Sequence, residues 1–358
     1  MHKIIKIGII GCGWIMKVAH IPAFKDIPYI QIRAIFDTDI IKLQLSNTDM
    51  NAIKITNDLA FFFAQDIDAV IIGTPNFLHS YYAREALVRN IHVLAEKPIG
   101  LFGSEIKSLI DLSKKNKIIY LPAYVNRYRE DVQLVCEQIT EGIIGKVISI
   151  DAKWLRKNGI PRVGGWNTNQ RLSGGGVLQD LGPHIIDLCT YFANEGRINY
   201  STAEFGTNAQ WESNKASWIT DGKSYHIFDV ETWVKAEICF VNGVKAKIHL
   251  DWAADIEGDY TQFIIIGTRG TITLHTLFGF SNNFNQLDYK TVMIESDDGT
   301  TIMEVDKVNP QKAFNAQAEY FAKCIVNGKY THLDCECGYY AVDIIEQLYK
   351  NKASNLKM

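Results

Sequence analysis

The chain has 358 residues, more than most single domains hold, so two domains are expected. Hydrophobic residues make up 47% and charged residues 22%, ordinary globular usage that excludes a long disordered chain, a collagen and a coiled coil. The formal charge is −3 and no Lys/Arg-rich run occurs, so nothing marks nucleic acid or an anionic membrane as a partner.

The chain opens with an apolar run over residues 7–16 behind Lys3 and Lys6. Gly8, Gly11 and Gly13 lie within it and no small-residue cleavage site follows, so it reads as a buried strand entering a glycine turn rather than a signal peptide. No apolar stretch approaches the roughly 20 residues of a membrane helix. The seven cysteines are scattered apart from Cys335-x-Cys337, at most half of a metal site. The expectation is a soluble, cytoplasmic protein without a structural metal.

Short β-branched runs then recur at residues 30–36, 53–56, 69–72, 92–95 and 118–121, with helix-length stretches such as 80–89 and 105–115 between them. Near-continuous apolar strands alternating with helices predict a parallel sheet covered on both faces. The predicted first domain is 1–123, a doubly wound Rossmann dinucleotide-binding domain. Gly11-Cys12-Gly13 directly follows the first strand. Gly11 and Gly13, with Trp14 and Ile15 after them, are candidates for the turn at which backbone N–H groups and a helix N-terminus receive a pyrophosphate. The third glycine position of that motif is Met16, whose bulk is expected to push the helix slightly away from the sheet. Asp37 ends the second strand, where a carboxylate binds ribose hydroxyls and repels a 2′-phosphate, so NAD is expected over NADP. Thr74-Pro75-Asn76 and Glu96-Lys97 follow the fourth and fifth strands, also where this fold places ligands. His79 stands just beyond, either near the nicotinamide or as a plain helix-face histidine.

After residue 123 the texture changes. A helix is predicted over 130–141, then long alternating runs at 147–155, 228–240, 244–252, 260–266 and 271–274. Asn242-Gly243 between two of these is a hairpin signal. The predicted second domain, 124–358, is therefore α+β with an open, mostly antiparallel sheet. Residues 207–223 are expected to form a loop, and helices over 311–327 and 338–351 to close the chain.

The segment 173–187, SGGGVLQDLGPHIID, is the most unusual. A triple glycine is costly to order and implies close backbone approach or a sharp entry. Asp180 and His184 are four apart and would share a helix face, although Gly182-Pro183 puts a continuous helix in question. A histidine beside a carboxylate suits proton transfer; the alternative is a capping Asp180 and a core histidine.

Together the N-terminal GxG, Glu96-Lys97-Pro98 and the pattern from Gly174 to Asp187 resemble the glucose–fructose oxidoreductase / inositol dehydrogenase / MocA (Gfo/Idh/MocA) family over essentially the whole chain. The resemblance implies a reversible NAD-dependent alcohol–ketone oxidation, with Lys97, Asp180 and His184 as the catalytic cluster. His184 would take the hydroxyl proton, Lys97 would stabilise the developing alkoxide, and Asp180 would orient the substrate. It further implies Asn126 beside the cofactor and Arg127 facing the substrate. Arg156, Trp166 and Asn167 are added as candidate substrate contacts, because tryptophan faces and polar groups suit polyols. The implied substrate is a cyclic polyol, sugar or sugar phosphate, and the implied assembly is a homodimer or homotetramer through the C-terminal sheet. Two other functions use the same residues: an NAD-dependent glycoside hydrolase with an internal redox cycle, and a non-catalytic dinucleotide-binding regulator.

Overall fold

The computed structural model describes residues 4–39, 53–161, 163–208, 227–281, 291–297, 299–305, 309–328 and 332–355. In chain order the first strands are β1 (Ile5–Ile10), β2 (Ile30–Phe36), β3 (Lys54–Thr56), β4 (Ala69–Ile72), β5 (His92–Ala95) and β6 (Tyr120–Pro122). All pair in parallel in the order β3-β2-β1-β4-β5-β6. Strand order reverses between β1 and β4, so a ligand crevice opens at the carboxyl ends of these two strands. The helices of this part are α1 (Ile21–Lys25), α2 (Leu59–Phe63), α3 (His79–Leu87) and α4 (Gly103–Asn116). β4 is buried along its whole length, as a central parallel strand covered on both faces must be. Gly8 lies inside β1 because a Cβ there would stand 2.5 Å from the Phe62 ring of α2.

The second part begins with α5 (Glu130–Thr140) and β7 (Val147–Leu155). Three helices follow, α6 (Gln170–Ser173), α7 (Val177–Asp180) and α8 (Gly182–Ala193). Then come β8 (Ile198–Gly206), β9 (Trp233–Phe240), β10 (Lys245–Asp251), β11 (Tyr260–Gly267), β12 (Gly270–Thr276), β13 (Thr291–Ser296) and β14 (Gly299–Glu304), before α9 (Pro310–Asn327) and α10 (His332–Asn355). The eight strands are ordered β14-β13-β12-β11-β7-β10-β9-β8, antiparallel except for the parallel pair β7–β10. The sheet is thus open and mostly antiparallel, as the alternating runs predict. The run 228–240 is strand only from Trp233; residues 228–232 form a connection that carries Glu231. Asn242-Gly243 makes the expected tight turn, with Gly243 at φ +90° and Asn242 Oδ1 accepting from Val244 N–H. Most of the predicted loop 207–223 lies outside the described residues.

Two compact units result: Met1–Val125 with Gln311–Tyr339, and Asn126–Pro310 with Tyr340–Met358. In the first, α9 packs Phe314 edge-on against His20 and Phe321 against Phe24. In the second, α8 covers β7 and β10 and is buried along nearly its whole length. No helix among the described residues is long and apolar enough to cross a membrane.

Candidate functional site

In the first unit the glycine turn is built by close packing. Gly11 has φ +88°, and a Cβ there would meet Gly73 O at 2.8 Å. Its N–H reaches Phe36 O at 2.8 Å, joining the ends of β1 and β2. Gly13 differs, since the nearest atom to its missing Cβ is Gly73 O at 3.8 Å, so its backbone stays open to a ligand. Helical backbone starts at Trp14, which is exposed, and runs through the half-buried Ile15. Met16–His20 forms a π-helical turn, with Ile21 N–H bonded to Met16 O. Met16 is fully buried, and its Cγ and Sδ would lie 2.8 Å from a Cβ on Gly73. Its bulk is therefore accommodated by a wider helical turn and a glycine opposite.

Asp37 is nearly buried at the end of β2. Its Oδ2 accepts from Cys12 N–H at 2.7 Å and its Oδ1 from Asp39 N–H at 2.8 Å. A negative charge is thereby fixed beside the glycine turn, the place a ribose diol requires. The open Gly13 backbone, the helix start behind it and this carboxylate together fit a dinucleotide.

His79 ties the end of β4 to the end of β5, and His20 ties the helix after β1 to the end of β5. His79 is 1% exposed, with Nδ1 2.6 Å from Pro98 O and Nε2 2.7 Å from Thr74 O. Burial lowers its pKa, although both carbonyls pull upward. A neutral ring carries one N–H and donates to one of these carbonyls at a time, and in either tautomer the ring is wedged between the Thr74-Pro75-Asn76 loop and Lys97-Pro98, whose peptide is cis. Asn76 is buried at the start of a short helical turn, Asn76–Leu78. Glu96 uses both oxygens, Oε1 on His20 Nε2 at 2.7 Å and Oε2 on Lys97 N–H at 3.0 Å. His20 thus links the glycine-turn helix to the Glu96-Lys97 end of β5. Sequence reasoning missed it; the signal was one histidine within an apolar helical stretch.

In the second unit the triple glycine is explained by crowding. A Cβ on Gly175 would stand 1.9 Å from the Tyr349 hydroxyl, and one on Gly176 1.9 Å from Glu231 O. Gly174, at φ +88°, ends α6. The Glu231 carboxylate is buried and accepts from Gly176 N–H, Leu178 N–H and the Tyr349 O–H, while its main-chain carbonyl accepts from Val177 N–H. It caps α7 from outside the segment. Burial raises the pKa of both Glu231 and Tyr349.

Gly182-Pro183 does not break the helical path. Leu181 is helical, its N–H bonds Val177 O, and Ile185 N–H bonds Leu181 O. Asp180 and His184 therefore share a face. Asp180 Oδ2 accepts from the Trp252 indole N–H at 3.1 Å, and the His184 ring lies 5.9 Å from that of Trp154. Asp187, one turn on, is buried and holds Arg127 through two hydrogen bonds of 2.8 Å. Arg127 also stacks on Tyr191 at 4.6 Å. Arg156 is buried over the Trp154 ring at 5.0 Å. Burial lowers its pKa, opposed by the nearby carboxylates of Asp180 and Asp259. Asn126 is buried in the turn Val125–Tyr128. Trp166 and Asn167 open another short turn, Trp166–Thr168. Asn167 Oδ1 and Trp154 Nε1 are buried without a hydrogen-bond partner among the described residues.

The structure thus gathers Gly11, Gly13 and Asp37 at one turn, and Thr74, His79, Glu96 and Lys97 in a second cluster of the same unit. Asp180, His184 and Arg156 form a third, in the other unit, while Arg127 is drawn instead to Asp187. Among the described residues no group of three or more His, Cys, Asp or Glu side chains is placed to hold a metal.

Two family models match the chain. Residues 5–124 match the oxidoreductase family with an NAD-binding Rossmann fold, and residues 132–273 match the GFO/IDH/MocA C-terminal domain. The D-glucoside 3-dehydrogenase of Escherichia coli K12 is 28% identical, with 99% of this chain and 97% of the relative aligned. A putative UDP-kanosamine synthase oxidoreductase subunit of Amycolatopsis mediterranei is 27% identical over 78% of this chain and 77% of its own length. A levoglucosan dehydrogenase solved with NADH and levoglucosan superposes with a TM-score of 0.80 over 98% of both chains; at 22% identity that likeness bears on the fold alone.

Proposed function

The chain belongs to the GFO/IDH/MocA oxidoreductase family, and within it we propose a dehydrogenase that oxidises a secondary hydroxyl of a cyclic polyol or sugar, with NAD preferred over NADP. The reading rests chiefly on Asp180 and His184 sharing one helical face beside Trp252 and Trp154. Bound nicotinamide supplies the hydride acceptor. His184 takes the proton of the reacting hydroxyl on a ring nitrogen as the C–O bond becomes C=O. Lys97 donates to the same oxygen and stabilises its developing charge, with its backbone N–H fixed by Glu96. Asp180 orients the substrate from a position set by Trp252. Gly11, Gly13, Trp14 and Ile15 cradle the pyrophosphate, and Asp37 takes the ribose hydroxyls. Thr74, Pro75 and Asn76 would line the nicotinamide end, with His79 as a brace. The names of relatives support a sugar-type substrate. The outer face of the second sheet, with Asp151, Lys153, Glu204, Lys235, Glu237 and Lys247, is the surface on which copies would associate.

The test is a screen of inositols, free sugars and sugar phosphates with NAD and NADP, following absorbance at 340 nm. His184→Ala and Lys97→Ala should each cost about 10²–10⁴-fold in turnover. Turnover within a few-fold of the parent would remove the role.

A further inference from the structure

We propose that His20 is a positioning residue for Lys97, acting through the Glu96 carboxylate, an inference that rests on the dehydrogenase reading above. Two hydrogen bonds make the link. His20 Nε2 stands 2.7 Å from Glu96 Oε1, and Glu96 Oε2 accepts from the Lys97 N–H at 3.0 Å. An ionised carboxylate only accepts, so His20 carries a proton on Nε2 and donates it. Both residues are buried, where a hydrogen bond to a charged group is strong and little contested by water.

Each end of the link is anchored. The Phe314 ring of α9 meets the His20 ring edge-on at 5.1 Å, and Gln311 Nε2 donates to the neighbouring Ala19 O at 3.1 Å. Glu96 N–H bonds Ile72 O at 2.8 Å, which fixes the residue to β4. Lys97-Pro98 is then held from two sides, by Glu96 at the Lys97 N–H and by the His79 ring, 2.6 Å from Pro98 O. In the dehydrogenase reading Lys97 donates to an oxygen whose charge grows during reaction, so its contribution falls in the transition state and shows in kcat. Such a donor is sensitive to placement, and a shift of about 1 Å can cost on the order of 10²-fold. Removing the His20 N–H takes from Glu96 the donor that fixes its rotamer, and Lys97 loses a fixed acceptor for its backbone. The glycine turn does not depend on this link, because Gly11 N–H is held by Phe36 O at 2.8 Å and Cys12 N–H by Asp37 at 2.7 Å.

The test uses the full chain with saturating NAD and whichever sugar or polyol it turns over. His20→Leu should lower kcat about tenfold or more, while KM for that substrate and the Kd of NADH stay within about threefold. His20→Gln, which supplies an amide N–H to Glu96, should recover most of the loss. Glu96→Met should match His20→Leu in kcat, and the double variant should lose no more than either single one, because both act along one path. The double variant places an apolar pair in the buried site, so it also serves where a single variant fails to fold. A readout without turnover is the rate at which an amine reagent labels Lys97 in the free protein, followed by peptide mass spectrometry. That rate should rise about threefold or more in His20→Leu, as Lys97 is loosened, and return in His20→Gln. A parent-like kcat in His20→Leu, a loss that His20→Gln does not recover, or single losses that multiply in the double variant would each overturn the proposal. If Lys97→Ala leaves turnover intact, or NADH raises Tm and no sugar or polyol is turned over, the dehydrogenase reading falls instead. The labelling rate then decides by itself whether His20 holds Lys97: an unchanged rate in His20→Leu says that it does not.

Discussion

Tyr349 donates its phenolic O–H to Glu231 at 2.7 Å and thereby joins the last helix of the chain to the glycine-rich entry of α7. The same carboxylate holds Gly176 N–H and Leu178 N–H, so the position of Asp180 and His184 depends on a residue 118 positions from Glu231. Removing one hydrogen bond to a charged group costs about 1.5–3 kcal/mol. Tyr349→Phe should lower the stability of the second unit by that order. It should also reduce kcat about tenfold while the Kd of NADH stays within twofold. A parent-like kcat would show that the entry holds its shape without the phenol.

Gly176→Ala should be far harsher. The added methyl would sit 1.9 Å from Glu231 O, a backbone atom that cannot swing away, so the capped entry must open. A loss of about 3 kcal/mol or more is expected, within the range of severe overpacking, together with loss of turnover. Denaturant melts of variant and parent measure it.

At the cofactor end, the same glycine-to-alanine change should leave the fold alone. Gly13 is not in the left-handed region and nothing stands within 3.8 Å of its missing Cβ. Gly13→Ala should change stability by no more than about 0.5 kcal/mol, as at an unremarkable surface site, yet weaken NAD binding at least tenfold by blocking approach to its backbone. Asp37→Asn keeps a hydrogen-bonding side chain beside Cys12 N–H and removes the charge. The ratio of NAD to NADP affinity should fall at least tenfold. Calorimetric titration with both dinucleotides reads out the two variants.

His79 gives a pH signature. Its folded pKa lies below the ordinary 6.5 because burial disfavours the imidazolium. The folded state then binds fewer protons than the unfolded chain, so stability is fully present above pH 6.5 and is lost as pH falls below it. Lowering the pH from 7.5 to 5.5 should depress Tm, and His79→Gln should lessen that drop. Equal drops in parent and variant would assign the loss to other groups.

Much of this was legible in the sequence, for reasons visible in particular residues. β1, β4 and β5 are short apolar runs buried at all but one residue or at every residue, β2 joins them only from Ala34, and β7 from Ile150 and β10 up to Leu250 alternate buried with more open positions. β8 was not legible, because Ser201 and Ala203 are among its few buried residues and such small side chains carry little apolar signal. Asp180 and His184 could be paired from their spacing alone. Glu231 and Tyr349 could not, since each meets the glycine segment only through the tertiary fold. Arg127 looked free for substrate because no local pattern announces Asp187, 60 residues away, as its partner.

Met16 and Gly73 carry a last consequence. The small residue usually needed on the first helix has been exchanged for one at the end of the neighbouring strand, so the demand for space is met by the pair and by neither position singly. Met16→Gly would then leave a hole above Gly73, and Gly73→Ala would collide with the thioether at 2.8 Å. Each single change should harm the nucleotide turn, and the double change should be milder than the sum. A motif search that requires a third glycine would pass over this chain, although the space that glycine provides is intact.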